Sequence, residues 1–230
     1  MRSKFSRRTQ NTENPGLRLQ KAYRFLNQGH FDRAEKTAKK LRREFPSWVD
    51  IQRISGLIAL YSRKPKLAVK YFENTLSLSP DLAEHHDLLG TALMECAQYD
   101  AAKSAYQQAL SISPEDPGIF GNLGNAWRKI GNLDEAIKAY EQSLKIRPNN
   151  HNVLFNLASV FHQIDDFSRA EEIYKKILAL GTDDPNVYSN LSSTLLFQRK
   201  IDEALKVCER GLTIFENNLT LLFNRGHLLE

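Results

Sequence analysis

Residues 117–150 read PGIFGNLGNAWRKIGNLDEAIKAYEQSLKIRPNN. In the first half, Phe120, Leu123, Ala126 and Trp127 recur at helical spacing and place one apolar face on a first helix. Gly131-Asn132 interrupts that pattern. Ala136, Ile137, Tyr140 and Leu144 then build the apolar face of a second helix. Asp134-Glu135 falls in its first turn, where negative charge meets the positive end of the helix dipole. Pro148 closes the stretch, because its ring and missing N–H do not continue a helix. The stretch predicts helix, short turn, helix, stop.

The same 34 residues recur in both directions. Ala34, Ala68, Ala102, Ala136, Ala170 and Ala204 keep one phase without slip. Four residues after each stand Ala38, Phe72, Tyr106, Tyr140, Tyr174 and Cys208, and eight after stand Arg42, Leu76, Leu110, Leu144, Leu178 and Leu212. Pro46, Pro80, Pro114 and Pro148 close four repeats, with Thr182 and Glu216 at the equivalent places of the last two. Upstream, a leucine column (Leu89, Leu123, Leu157, Leu191) adjoins a column of small residues: Ala22, Gly56, Gly90, Gly124, Ala158, Ser192 and Gly226. Small residues let paired helices approach, and large aromatics opposite fill the space.

These columns resemble the tetratricopeptide repeat family. Leu123-Gly124, Trp127, Ala136, Tyr140 and Pro148 carry the resemblance best, followed by Leu89-Gly90, Ala102, Tyr106, Ala109 and Pro114. It covers 15–218 as six units (15–48, 49–82, 83–116, 117–150, 151–184 and 185–218), after a basic tail at 1–14. Residues 219–230 open a seventh. The resemblance implies an all-α solenoid, a right-handed superhelix whose concave groove is lined mostly by first helices. One hairpin cannot bury its apolar face alone, so neighbours must stack. Three departures stand out. Lys21-Ala22 replaces the Leu-Gly pair in the first unit, as in a capping repeat; Pro65 replaces an aromatic in the second; and the fifth and sixth junctions, lacking proline, are expected to bend differently.

With 41% hydrophobic and 26% charged residues, the composition is that of a folded soluble chain. The net charge of +5 is uneven: residues 1–46 hold 13 Lys and Arg against 4 Asp and Glu, so the rest of the chain is net acidic. No apolar stretch follows the basic start, which argues against a secretory signal and leaves an organellar targeting segment as a weaker alternative. Cys96 and Cys208 lack metal-like spacing and suit a reducing compartment, so a cytoplasmic location is expected.

Residues 219–230, LTLLFNRGHLLE, begin another first helix, with Leu221, Leu222, Leu228 and Leu229 expected to lack cover. Either the chain is the N-terminal piece of a longer polypeptide, or it self-associates through this end, or the helix is short and frayed.

Asn122, Asn156, Asn190 and Asn224 recur with the period. In the family's geometry they would form a ladder on the concave face, where amides can satisfy an extended peptide's backbone. The later repeats resemble the arrays of O-GlcNAc transferase-like proteins in this respect; Asn is also common at this point in unrelated members. Glu84, Asp87 and Glu95 would add an acidic patch for a basic partner segment, and Phe155, Phe197 and Phe223 apolar contacts. The lysine position of carboxylate-gripping arrays is filled by Leu19, Arg53, Asp87, Gly121, Phe155 and Ser189, so no clamp of that kind is expected.

Arg33, Lys36, Lys39, Lys40, Arg42 and Arg43 form a basic face on one second helix, either a solvated cap or a site for RNA, an acidic partner or a membrane surface. Aromatics are not interleaved with these charges, so nucleic acid is not favoured. Catalytic signals are weak. Glu84-His85-His86-Asp87 lacks a third histidine for an iron site, His162 and Asp166 are an ordinary helix-turn pair, and Gly118, Gly121 and Gly124 have the wrong spacing for a dinucleotide loop. We therefore expect no enzyme, metal or cofactor. The expected function is a scaffold binding a protein or peptide in its groove. The alternative is the substrate-presenting arm of a larger enzyme (a glycosyltransferase, sulfotransferase or oxygenase) with its catalytic domain beyond residue 230.

Overall fold

The computed structural model describes residues 14–181 and 184–229. Of the basic tail only Asn14 is described; the rest of it, with Thr182 and Glu230, lies outside. The described residues form thirteen α-helices and no strand. They fall into two compact units. The first, up to Gln98, holds α1 (Pro15–Asn27), α2 (Phe31–Glu44), α3 (Val49–Tyr61), α4 (Pro65–Leu78) and α5 (Ala83–Glu95). The second, from Tyr99, holds α6 (Tyr99–Ile112), α7 (Pro117–Ile130), α8 (Leu133–Ile146), α9 (His151–Gln163), α10 (Phe167–Ala179), α11 (Pro185–Phe197), α12 (Ile201–Ile214) and α13 (Leu219–Leu228). Within each unit every helix packs on the next, and first helices also touch: α1 with α3, then α7 with α9, α9 with α11, and α11 with α13. The architecture is an all-α solenoid of helical hairpins. Among the described residues no helix is long and apolar enough to cross a membrane.

The columns become the core. All six alanines of the 34-residue column are fully buried, and Phe72, Tyr140 and Tyr174 of the aromatic column are as well. The small column is a steric requirement at two positions. A Cβ on Gly124 would lie 2.5 and 2.6 Å from Tyr140 Cε1 and Cδ1, and one on Gly56 would lie 2.6 and 2.8 Å from Phe72 Cζ and Cδ1. The ring occupies the space a Cβ would need, so the pair acts as one packing element.

The turns inside the hairpins also repeat, a regularity the sequence hides. Gly29, Arg63, Ala97, Gly131, Asp165 and Arg199, spaced by 34, all take positive φ. The next residue donates its N–H to the carbonyl five back: His30 to Phe25 (2.8 Å), Lys64 to Ala59 (2.8 Å), Gln98 to Leu93 (3.0 Å), Asn132 to Trp127 (3.1 Å), Asp166 to Phe161 (2.9 Å) and Lys200 to Leu195 (3.0 Å). This is the Schellman closure, which needs one left-handed residue. Glycine supplies it twice; elsewhere an L-residue is held there against its preference.

Pro65 occupies the first turn of α4, where its missing N–H is not needed. The two junctions without proline differ from each other. α10 stops one residue early in phase and runs into Gly181 at φ 78°, whereas α12 ends in phase, with Phe215 donating its N–H to Gly211. The C-terminal expectation needs correction. Leu221 and Leu228 are buried, and Leu221 gives its carbonyl to Cys208 Sγ at 3.0 Å. Hairpin α11–α12 supplies the cover that these two leucines were expected to lack. Leu219 and Leu229, at 81% and 67%, remain exposed.

Candidate functional site

The first helices of the second unit present a seam of neutral hydrogen bonds. On α7, Asn125 accepts at Oδ1 from the Tyr140 hydroxyl (2.7 Å) and from Asn156 Nδ2 on α9 (2.9 Å). One hairpin on, Asn190 Nδ2 donates to the Tyr174 hydroxyl at 3.2 Å, and Ser159 lies 3.2 Å from the same oxygen. Asn224 Nδ2 on α13 reaches the Ser189 carbonyl at 3.1 Å and Ser192 Oγ at 3.0 Å. Burial pushes the Tyr140 phenol up to about 12, so it stays a neutral donor.

The ladder asparagines are therefore half-buried links between hairpins as well as surface groups. Asn156, Asn190 and Asn224 are each tethered through Nδ2, while their Oδ1 atoms carry no hydrogen bond among the described residues. An amide held by one end is an oriented acceptor. Asn122 has its own interactions one turn before Asn125. Beside the seam lies a recess of about 450 Å³, lined by Asn125, Asn152, Phe155, Asn156, His151 and Asp184, among others. Phe155 is half-buried there and set edge-to-face on Tyr174, with centroids 5.9 Å apart.

Asn125, Asn152, His151 and Asp184 were missed by sequence reasoning. Asn125 and Asn152 sit three residues after Asn122 and four before Asn156, so they share those residues' helix faces, and that spacing was the available signal. Farther along, Phe197 and Phe223 stand 60% and 72% exposed and line a smaller recess of about 220 Å³ with Leu196, Asn224 and His227. His162 packs its ring against Phe167 and Phe197 at 5.3 and 5.4 Å, with Nδ1 3.1 Å from Thr194 Oγ1. Burial lowers its pKa. Asp166 does not pair with it; it caps α10 by accepting from the Arg169 N–H at 3.1 Å.

In the first unit, one member of the acidic patch has a partner. Glu84 is held by Arg53 Nη1 at 2.8 and 2.9 Å, and the same guanidinium reaches Asp50 at 3.1 Å. One guanidinium is thus shared by two carboxylates. Asp87, half-buried, has its own interactions, and Glu95 is exposed at the end of α5. These residues and the asparagine seam belong to different units. His85 and His86 turn ring nitrogens onto the carbonyls of Ser79 and Pro80, at 2.9 and 3.0 Å. No grouping of three or more His, Cys, Asp or Glu side chains suited to a metal occurs among the described residues.

On α2, Arg33, Lys36, Lys39, Lys40 and Arg43 are exposed. Arg42 is not part of that face: it pairs with Glu35 at 2.9 Å, donates to Ser55 Oγ at 2.6 Å, and lies 4.7 Å over the Tyr71 ring.

Models of the tetratricopeptide repeat match residues 19–83, 93–139, 124–165 and 153–188. This chain carries tetratricopeptide repeats. Solved structures agree on the fold of the repeat array. PilW, described as a widely conserved type IV pilus biogenesis factor, superposes with a TM-score of 0.84 at 16% identity, covering 91% of this chain and 97% of PilW. PilF from Pseudomonas aeruginosa gives 0.78 at 18% identity, covering 93% and 97%. MamA from Desulfovibrio magneticus RS-1 gives 0.67 at 21% identity, covering 73% and 94%. No curated protein matches the sequence.

Proposed function

We propose that this repeat array is a non-catalytic scaffold that holds an extended segment of another polypeptide against the first-helix face of its second unit. The observation that carries this is the set of tethered asparagines with unoccupied Oδ1 acceptors, beside a recess of about 450 Å³. A backbone N–H is a donor every non-proline residue offers, so repeated fixed acceptors grip a strand without reading its side chains. Phe155, and beyond it Phe197 and Phe223, offers apolar contact to alternate side chains. Protein-binding use is common to arrays of this architecture, and the relatives in structure include a pilus biogenesis factor. The two free cysteines suit work in the cytoplasm.

The test is selection of binders from a displayed random-peptide library, followed by calorimetry on two variants. Asn152→Arg fills the recess and touches no intramolecular hydrogen bond; it should abolish binding with melting unchanged. Asn156→Ala/Asn190→Ala should weaken binding of every selected peptide alike. Peptides that bind both variants as tightly as the parent would overturn the reading.

A further inference from the structure

The first helices of the second unit carry one charge that the seam does not use. Arg128 follows Asn125 by three residues on α7, so the two share a helix face. Burial raises the Tyr140 and Tyr174 phenols most, and the positive charge of Arg128 draws both back down. The guanidinium therefore stands beside the hydrogen-bonded seam, on the face where the segment is held.

Half-burial without a partner sets this arginine apart. Among the described residues the other half-buried cations are matched: Arg18, Arg42, Arg53, Lys103 and Lys200 each form an ion pair, and Lys21 has interactions of its own. The Arg128 side chain, equally half-buried, forms no ion pair and no hydrogen bond among them. A guanidinium stays charged and offers five donors, so its partial burial costs solvation that nothing in the chain returns. None of its nitrogens is sealed off from solvent, so an incoming group can reach them.

From this we infer that the segment held against the second unit carries an acidic side chain that pairs with Arg128. The planar fork of a guanidinium matches a carboxylate with two parallel hydrogen bonds. The asparagine Oδ1 atoms are acceptors for backbone N–H and cannot serve a carboxylate, so the two kinds of group divide the work. Asp184 lines the recess, which places the acidic residue at Arg128 and not there. The inference rests on the groove as the binding face and adds a required charge to it.

Selection from a random-peptide library tests it, with the peptide C-termini joined to the carrier protein so that every carboxylate offered is a side chain. Peptides selected on the parent chain should be enriched in Asp and Glu, and those selected on Arg128→Glu in Lys and Arg. In calorimetry with synthetic amidated peptides, exchanging the acidic residue for its amide should weaken binding to the parent about fivefold or more. The same exchange should leave binding to Arg128→Gln unchanged. Arg147→Gln, at an exposed arginine of the same unit, should behave as the parent. Arg128→Gln should not lower the melting midpoint; a drop would mean that Arg128 is matched within the chain and would overturn the inference. If no peptide is selected, or if the selected peptides ignore Asn152→Arg, the groove reading fails and the inference falls with it. If binding is lost with Asn152→Arg but no acidic preference depends on Arg128, the groove stands and the inference alone is overturned. Dependence on Arg128 carried by a free C-terminal carboxylate in place of a side chain would also overturn it.

Discussion

The two units solve the same problem, tying one hairpin to the next along their first helices, with different chemistry. The first uses charge: Arg53 of α3 reaches Glu84 of α5. The second uses neutral groups: Asn125 with Asn156 and Tyr140, Tyr174 with Asn190, and Asn224 with Ser189. An ion pair matches its partners and leaves little for a ligand, and its strength falls with salt. A tethered amide keeps an acceptor in reserve. The seam chemistry thus separates a unit whose first helices are joined by a part-exposed ion pair from one whose first helices are joined through tethered amides.

Beneath the seams the cores are alike, and the largest effects should be shared. Phe72→Ala in the first unit and Tyr140→Ala in the second should each destabilise by about 3–5 kcal/mol in denaturant titration. A much smaller loss in one unit would show that its aromatic column is not the equivalent of the other's. Tyr140→Phe isolates the seam and should cost about 1 kcal/mol.

Gly124→Ala and Gly56→Ala drive a methyl into the facing ring and should each lower stability by about 2 kcal/mol. Equal losses would establish one ring-on-backbone element in both units.

Acid should act on the second unit through Glu171. Although burial opposes its ionisation, hydrogen bonds from Lys175, Lys200 and Gln198 outweigh it and hold the carboxyl at about 2. Its folded pKa is depressed, so its contribution is complete above the unfolded value near 4.5 and is lost as pH falls towards 2. Glu171→Gln should remove on the order of 2 kcal/mol at neutral pH, after allowance for solvent screening at the two lysines, and flatten the stability profile between those pH values. An unchanged profile would show that the cluster carries no net stability.

The seams themselves separate by salt. Asn156→Ala should cost about 1 kcal/mol at any ionic strength. Glu84→Gln should cost about 0.5 kcal/mol in dilute buffer and nothing in roughly 1 M salt. Matching salt dependence would abolish the distinction between the units. The smallest effect concerns the turns: Ala97→Gly should stabilise by about 0.5 kcal/mol, and Gly131→Ala should destabilise by about 1 kcal/mol, both read from thermal midpoints.

Sequence alone determined the hairpin, its 34-residue period and the identity of the core columns. These follow from one-dimensional facts, helical spacing of apolar side chains and the places where glycine or proline stops a helix. It also placed Asn156, Asn190 and Asn224 on one face. Tertiary structure decided what those asparagines touch, because Asn125 and Asn156 stand 31 residues apart and meet only when two hairpins stack. It decided that Glu84 pairs with Arg53, and that Leu221 and Leu228 are covered by the preceding hairpin. It also showed that Arg63, Ala97, Asp165 and Arg199 do a glycine's work. A left-handed turn imposed by the helices on either side leaves no mark on the residue that must adopt it.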